Sequence, residues 1–364
     1  MRRIAIHNLA TNMIVARTVY ASDGRILLHE GIALNKDYIK RLGDLGISSI
    51  YIRDKFVEDD NIKDVVSEKI RVETIQAIRD NFYELEKGRR LNTKRIHTLV
   101  NNLIDELLIN SNLLVNLADI RSFDDYTFAH SVNVAILSIM TGITMQYNEL
   151  QLKELGIGAL LHDLGKTKID VNILNKPDDL NKEEFEEIKR HPQYGFDMLR
   201  KHDDISLLSA HIAFQHHERW DGHGYPRQLS GEKILEYARI VAVADVYDAL
   251  LADRPYRPSY SINQASTIVK RMAGTFLDVN CVDAFLSNIA IFPIGSFLEL
   301  NTGETGVVVD VNKEMPSRPI VKIIYGKDRH PLFKSHEIDL SKLSTITVKK
   351  VLTGQEISLL SNEF

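Results

Sequence analysis

The chain places a histidine and an aspartate side by side at the end of an apolar, helix-like segment. In the stretch LLHDLGK, His162 and Asp163 are followed by Gly165 and Lys166. Gly165 is predicted to stop the helix. An unpaired charge buried at such a point is costly. A divalent metal ion bound by both side chains would remove that cost, whereas a His-Asp pair that caps the helix without an ion is the plainer alternative.

Other potential ligands have the same kind of placement, within an apolar helix or at a helix end. Each of them alone has an ordinary explanation as a buried, hydrogen-bonded side chain, but metal coordination explains all of them together. Nitrogen and oxygen donors without a thiolate favour iron, manganese or zinc. These further candidates are His130, His191, His216, His217 and Asp245.

These motifs resemble those of a known family. The sequence HDLGK fits the HD superfamily of metal-dependent phosphohydrolases, and HHERWDGHGYP resembles the HD-GYP subgroup, whose members hydrolyse cyclic dinucleotides. An HP dipeptide between these two motifs, and a later ADVYDAL and DRPYR, make the combination specific. The resemblance extends from near Asp124 to near Ile289, about half of the chain. It implies a helical-bundle fold.

The resemblance also implies a metal centre. One ion would be held by His130, His162, Asp163 and Asp245, and Asp163 would bridge to a second ion held by His191, His216 and His217. Some family members carry a glutamate four residues before the first histidine, which adds a third ion. This chain has Tyr126 at that position. We therefore expect two divalent transition-metal ions, with iron or manganese first and zinc or nickel as further candidates.

The expected chemistry is that of a binuclear phosphodiesterase, with Asp163 and Lys166 as the catalytic residues. Two ions can share a hydroxide whose parent water has a pKa of about 7, and this hydroxide can attack phosphorus in line. Lys166 is placed to bind a phosphate oxygen, and the resemblance assigns Arg254 and Arg257 to the substrate phosphates, which arginine can bind in a bidentate manner.

The loop that follows His217 is predicted to complete the site. Its glycines and Pro226 would bring Tyr225 close to the substrate. Two acidic side chains of the same loop, Glu218 and Asp221, are expected to orient imidazoles rather than to bind metal themselves.

The resulting hypothesis is an enzyme that opens 3′,5′-linked cyclic di-GMP to linear pGpG, GMP or both. One alternative is a phosphohydrolase for another cyclic dinucleotide or nucleotide. A second alternative, from a different class, is a nucleotide-responsive binding or scaffold protein with little turnover. The complete set of candidate ligands argues against the second alternative.

Composition limits the partners. A net charge of −5 argues against binding of a nucleic-acid polymer. Cys281 is the single cysteine, so no intramolecular disulfide forms, and a reducing compartment fits. The N-terminal sequence lacks a secretory signal, and no apolar run is expected to reach the roughly 20 residues needed to span a bilayer. We therefore expect a cytoplasmic protein that does not bind membranes.

Periodicity divides the chain into four regions and predicts a mainly α protein. Residues 1–57 form a small α/β region, 58–114 a helical connector, 115–290 a helical domain and 291–364 a β-rich appendage. The resemblance implies that the helical domain 115–290 is the HD-type catalytic domain. The two amphipathic connector helices could pack against a partner subunit, as in a homodimer, or against the neighbouring domain. Because no candidate ligand precedes His130, residues 1–114 are expected to be dispensable for the chemistry but not for regulation or assembly.

Overall fold

The chain folds mainly into α-helices, as predicted. The computed structural model describes residues 2–21, 25–47, 49–53, 64–115, 126–174, 176, 178–252, 260–352 and 356–357. Its α-helices are α1 Lys36–Asp44, α2 Glu68–Glu86, α3 Thr93–Ile109, α4 Tyr126–Thr144, α5 Glu149–Leu160, α6 Val171–Leu174, α7 Lys182–Ile188, α8 His191–Leu199, α9 Leu207–Gln215, α10 Glu236–Leu251, α11 Ile262–Met272 and α12 Val279–Leu286.

The strands lie at the two ends of the chain. They are β1 Arg2–Ala5, β2 Val19–Tyr20, β3 Ile26–Leu28, β4 Ser49–Ile52, β5 Phe297–Leu300, β6 Thr305–Asp310, β7 Ile320–Tyr325, β8 Pro331–Asp339 and β9 Val348–Val351. Two compact units result. One comprises Met1–Asp64, Asn112–Tyr126 and Ile289–Phe364, and the other comprises Val65–Ser111 and Thr127–Asn288.

The helical unit is built around α4, which is buried on nearly all sides. A helix that is apolar all round belongs in a core, and the side chains from Ala129 to Gly142 are buried without exception. Helix α5 packs against it so closely that a Cβ added at Gly142 would lie 2.9 Å from the Leu155 side chain. Asn148 caps α5 through a reciprocal pair of hydrogen bonds with Gln151, which fixes the start of the helix that leads to His162.

Helix α4 corrects one expectation from the sequence. Residues Thr127–Thr144 are long and apolar enough to cross a membrane by length and composition, with a mean hydropathy of 1.3. However, 78% of that window is buried inside the protein. The helix is therefore a core helix of the helical unit, and its apolar character is explained by protein packing.

The predicted boundary near residue 115 does not coincide with the division seen in the structure. Helices α2 and α3 lie in the same unit as the candidate ligands, because their apolar faces are covered there. Val100 of α3 would be 2.8 Å from a Cβ added at Gly156 of α5. Of the two predicted arrangements for these helices, the structure shows packing within this unit. Helix α3 is capped by Asn92, whose side chain accepts the backbone N–H of Arg95.

The chain on either side of residue 190 forms two short helices. Helix α7 ends at Ile188 and α8 begins at His191, with Pro192 in its first turn. Proline favours that position because it lacks the N–H that the first turn leaves without a partner. The interruption places His191 at a junction between helices, with its side chain buried.

The second unit contains the strands. Strand β1 pairs with β4, and β2 pairs with β3, both antiparallel. The C-terminal region forms one five-stranded antiparallel sheet in the order β8-β7-β6-β5-β9, which confirms the predicted β-rich appendage. Two strands, β1 and β8, were not predicted. Most side chains of β8 are exposed, so this strand lacks the alternating apolar pattern.

Candidate metal centre

Three of the candidate histidines lie at helix ends and share one type of contact. The Nδ1 atoms of His162, His191 and His216 hydrogen-bond to the backbone carbonyl three residues earlier, at 2.7, 2.7 and 2.9 Å. Carbonyl groups in the last turn of a helix lack intrahelical partners, so each imidazole N–H satisfies one of them. Because Nδ1 carries the proton, Nε2 presents a lone pair that can bind a metal ion.

The structure brings all seven predicted ligands together in two neighbouring groups. Within each group, one potential ligand atom from every residue lies within 4.8 Å of the others. The first group is His130, His162 and Asp245, and the second is Asp163, His191, His216 and His217. Either group could hold a metal ion. The role of each residue as a ligand stays a prediction.

Asp163 lies between the two groups and faces each with a different oxygen. Its Oδ2 is 3.4 Å from His162 Nε2, and its Oδ1 is 3.4 Å from His191 Nε2 and 3.8 Å from His216 Nε2. Ligands that bind one ion at about 2.0–2.2 Å lie about 3–3.5 Å from each other. This geometry is the one that a bridging carboxylate requires.

Two atoms at the centre of the cluster need a partner that the described residues do not supply. His162 Nε2 and Asp163 Oδ1 are buried and make no hydrogen bond within the described part of the chain. Buried polar atoms are nearly always satisfied, and a bound cation would satisfy both. The residues therefore fit a metal centre with nitrogen and oxygen donors, the type suited to iron, manganese or zinc.

The electrostatics of the second group favour the forms that bind metal. Burial lowers the pKa of His191 to about 4 and the pKa of His217 to about 3. Burial also lowers the pKa of His216 well below its usual value. Burial alone would raise the pKa of Asp163, but the Lys166 ammonium group and the neighbouring His162 imidazole outweigh it and hold that pKa well below its usual value. Neutral imidazoles and an ionised carboxylate result.

His130 lies between two carboxylates. Its Nε2 is 3.1 Å from Asp245 Oδ1, and its Nδ1 is 2.7 Å from Asp248 Oδ2. Burial lowers the pKa of His130, but the hydrogen bonds with Asp245 and Asp248 outweigh it and raise this pKa to about 10. Burial acts to raise the pKa of Asp245, and the hydrogen bond with His130 holds it low instead. A cation bound to Nε2 and Asp245 would replace the proton they share.

Gly165 has a different role from the predicted helix stop. Helix α5 already ends at Leu160, and Gly165 lies inside a short 3-10 helix, Leu164–Lys168. A Cβ at Gly165 would lie 1.9 Å from the backbone oxygen of His191 and 2.5 Å from the backbone nitrogen of Gly195. The missing side chain therefore allows the HDLGK segment to approach the backbone of α8, which carries His191.

The structure corrects the role expected for the two acidic residues after His217. The Glu218 carboxylate accepts backbone N–H groups of Arg227 and Leu229, at 2.8 and 3.0 Å. Asp221 pairs with Arg219 and accepts the backbone N–H of His223. Both carboxylates therefore hold the loop, and backbone carbonyls orient the imidazoles of His162, His191 and His216 instead. Neither residue belongs to the two ligand groups.

The same loop folds back on His217. A Cβ at Gly224 would be 2.5 Å from the His217 carbonyl oxygen, which also accepts the backbone N–H of Tyr225 at 3.1 Å. The Tyr225 ring lies over the His217 ring, with the centroids 4.7 Å apart. Burial raises the pKa of Tyr225, so its phenol stays protonated. The loop thus places an aromatic side chain beside the second ligand group.

Of the three cationic side chains predicted to bind the substrate, the structure describes Lys166. Lys166 is partly exposed, and its Nζ donates to Asp163 Oδ2 at 2.5 Å. It therefore lies directly beside the ligand groups. Arg254 and Arg257 fall outside the described residues, so their assignment to substrate phosphates stays a prediction from the resemblance.

Three buried side chains of the site were not predicted. Asp248 contacts His130, Asn133 donates to Asp248, and Arg71 donates to Asn133. The sequence contains a spacing signal for two of them, since Asn133 follows His130 by three residues and Asp248 follows Asp245 by three. This spacing puts both members of a pair on one helix face. Arg71, on α2, has no such signal.

Comparison with known proteins identifies the same region. Residues 106–281 match the HD domain, and residues 297–360 match the KOW domain associated with HD domain. The chain is 34% identical over 269 residues to a cyclic di-GMP phosphodiesterase of Pseudomonas aeruginosa, covering 73% of this chain and 64% of the relative. It is 34% identical over 242 residues to a cyclic di-GMP phosphodiesterase of Thermotoga maritima, covering 63% and 64%.

A third relative differs in its named substrate. The chain is 34% identical over 168 residues to a 3′3′-cGAMP-specific phosphodiesterase of Vibrio cholerae, covering 46% of this chain and 36% of the relative. The chain spans less than two thirds of the length of each of these three relatives. The matched family model coincides with the motifs and with the two ligand groups. The chain therefore belongs to the HD superfamily, with an HD domain of the HD-GYP type followed by a KOW domain.

Proposed function

We propose that this protein is a metal-dependent phosphodiesterase that hydrolyses cyclic di-GMP. The observation that carries the proposal is the pair of His/Asp groups with the Asp163 carboxylate between them. Such an arrangement suits phosphate-ester hydrolysis, because two adjacent cations can stabilise the attacking and the leaving oxygen. The names of the relatives from P. aeruginosa and T. maritima support the choice of substrate.

The proposed metal ligands are the residues of the two groups. Two divalent ions, when bound, would lower the pKa of water to about 7 and so supply a nucleophile at neutral pH. We propose iron or manganese, with zinc or nickel as further candidates, since all donors are nitrogen or oxygen. The residues proposed to hold them are His130, His162, Asp163, His191, His216, His217 and Asp245.

The residues around this set are proposed to bind and orient the substrate. Lys166 contacts Asp163 and is partly exposed, so its ammonium group can also donate to a phosphate oxygen. Tyr225 offers a ring face beside His217 against which a base or a sugar can pack. Arg254 and Arg257 are proposed to neutralise the substrate phosphates.

The reaction adds water across one phosphodiester bond of the ring. A bond forms between phosphorus and the water oxygen, the bond from phosphorus to the 3′ oxygen breaks, and the 3′ oxygen takes up a proton. The product is linear pGpG, and hydrolysis of its remaining phosphodiester bond would give two GMP molecules.

A second candidate substrate is 3′3′-cGAMP. It is favoured by the relative from V. cholerae that is named for this activity, and both molecules present the same pair of phosphodiesters to a metal centre. A binding or scaffold protein with little turnover is a weaker alternative, since both ligand groups are complete.

The test combines metal analysis with substrate turnover. The full-length protein, purified without chelator and reconstituted anaerobically, should contain two ions per chain, one for each group. Its kcat/KM should be higher for cyclic di-GMP than for 3′3′-cGAMP or cyclic di-AMP. Less than about half an ion per chain after this reconstitution would refute the metal centre. A higher kcat/KM for one of the other substrates would refute the choice of cyclic di-GMP.

We also propose that the protein acts in the cytoplasm without a membrane or a nucleic-acid polymer as partner. The buried position of α4 and the negative net charge support this proposal. A homodimer through α2 and α3 has less support, because Ile75, Ile78 and Leu103 of their apolar faces are already buried.

A further inference from the structure

A line of buried hydrogen bonds connects α2 to His130. Arg71 Nη1 donates to Asn133 Oδ1 at 2.9 Å. Asn133 Nδ2 donates to Asp248 Oδ1 at 3.0 Å, and Asp248 Oδ2 is 2.7 Å from His130 Nδ1. All four residues are buried, with at most 7% of each exposed. The line ends at a predicted metal ligand and begins on a helix outside the matched HD domain, which starts at residue 106.

The chemistry of these side chains fixes which atom donates and which accepts at each step of the line. A guanidinium group has donors and no acceptor, so Asn133 must turn its oxygen toward Arg71. Its NH2 group then faces Asp248, whose ionised carboxylate can only accept. Asp248 therefore requires a proton on Nδ1 of His130. The remaining nitrogen, Nε2, is thus directed as a potential ligand atom toward Asp245.

The start of α2 holds Arg71 in place. Ser67 caps the helix and accepts the N–H of Ile70, and the backbone N–H of Arg71 donates to the Ser67 carbonyl at 3.1 Å. The Glu106 carboxylate of α3 accepts both the backbone N–H and the hydroxyl of Ser67, at 2.6 and 2.7 Å. The guanidinium group is therefore delivered to Asn133 from a fixed helix end.

We propose that Arg71, acting through Asn133 and Asp248, is a positioning residue for the metal ion bound by His130, His162 and Asp245. This inference rests on the metal centre of the proposed function. Arg71 fixes the amide orientation of Asn133 and, through Asp248, the tautomer and ring orientation of His130. A direct contact to a metal ligand, such as that of Asp248 with His130, typically contributes about 10- to 100-fold to metal affinity.

The experiment is a calorimetric titration with Mn²⁺ of the full-length protein from which metal has been removed by a chelator. Wild type should bind two Mn²⁺ ions. Arg71→Met, which keeps the volume but removes the donors, should weaken one of the two sites by up to about 10-fold and leave the other unchanged. Arg71→Lys retains a donor and no acceptor, so it should restore most of the lost affinity.

Two further variants separate positioning from general destabilisation. Asn81→Ala removes a buried hydrogen-bonding side chain from the same helix, one that contacts Ala77 and Asn92 and not the metal centre. It should lower the free energy of unfolding and leave both Mn²⁺ affinities unchanged. Asn133→Leu interrupts the line at its middle, and the double variant with Arg71→Met should bind Mn²⁺ no more weakly than Asn133→Leu alone.

The proposal is overturned if Arg71→Met binds both ions as wild type does, or if Asn81→Ala weakens the same site by the same factor. If Arg71→Met does not fold, the decisive variant is Asn133→Leu. Binding of both Mn²⁺ ions by Asn133→Leu with wild-type affinities would then overturn the proposal. Binding of two ions by a wild-type protein that hydrolyses no cyclic dinucleotide would refute the proposed function and leave the inference intact. Absence of Mn²⁺ binding by wild type would refute both.

Discussion

At the scale of single residues, Asp163 is the side chain on which the two ligand groups converge. Its oxygens lie 3.4 Å from His162 Nε2 on one side and 3.4 Å from His191 Nε2 on the other. Asp163→Ala should therefore lose both ions and all measurable turnover, because each site is left short of a ligand. Metal analysis and a cyclic di-GMP hydrolysis assay check this.

Asp283→Ala is a suitable control for that variant, since Asp283 is an exposed aspartate of α12 that pairs with Lys270. It should keep two ions and wild-type turnover. Full metal content in Asp163→Ala would show that this carboxylate does not bridge the sites.

Lys166 is predicted to act on the substrate rather than on the ions. Loss of one charged hydrogen bond to a phosphate should cost about 1.5–3 kcal/mol, which is about a 10- to 100-fold decrease in kcat/KM for Lys166→Ala. The metal content should remain at two ions, although Lys166 also contacts Asp163. Lys168→Ala, in the same short helix and exposed, should retain wild-type activity. Equal turnover by both variants would refute the assignment of Lys166.

At the scale of elements, the site depends on the close approach of the HDLGK segment to α8. Gly165→Ala would place its Cβ 1.9 Å from the His191 carbonyl oxygen, which is backbone and cannot rotate away. Helix α8 must then shift and carry His191 with it. We expect a decrease of about 3 kcal/mol in the free energy of unfolding, together with loss of metal. Urea denaturation and metal analysis measure the two effects.

Gly195→Ala provides the matched comparison across the same contact. Its added Cβ would meet the Ala213 side chain at 3.4 Å, an ordinary van der Waals distance. This variant should stay within about 1 kcal/mol of wild type, since alanine also favours the helix. If both variants were equally stable, the close approach at Gly165 would not be what the site requires.

At the scale of the whole molecule, α2 and α3 belong with the HD domain. Each of the buried apolar side chains of α3 contributes about 1.5–3 kcal/mol on burial, and a typical domain has only about 5–15 kcal/mol of net stability. Loss of this helix alone would therefore remove most of that margin. These side chains are Ile96, Leu99, Val100, Leu103, Ile104 and Leu107.

Two truncated proteins test this grouping. A chain that begins at Val65 keeps α2, α3 and Arg71, so it should be soluble and bind two ions. A chain that begins at Leu114 lacks these elements and should be unfolded or aggregated, contrary to the expectation that residues 1–114 are dispensable. Circular dichroism and metal analysis distinguish the two chains. A soluble, fully metal-loaded chain from Leu114 would show that the helical unit begins after α3.

The sequence by itself determined the helical class and the residues that form the two ligand groups. Helical periodicity is local, and the motifs around His162 and His216 are contiguous in the chain. The sequence also predicted the β-rich C-terminal region, although the exposed strand β8 lacks the alternation of apolar and polar residues that is typical of a strand. Strand β1 was missed because it pairs with β4, which begins only at Ser49. The two strands are far apart in the chain, so their pairing leaves no local signal in the sequence.

Only the tertiary structure decided how these residues meet. The separate orientation of the two Asp163 oxygens, the approach of Gly165 to α8, and the contact between Arg71 and Asn133 each join segments that are distant in the chain. Arg71 and Asn133 are 62 residues apart. Such contacts depend on side-chain direction and on which helix faces pack together, and neither has a local sequence pattern. The hydrogen-bonded line from α2 to His130 therefore becomes visible only in the folded protein.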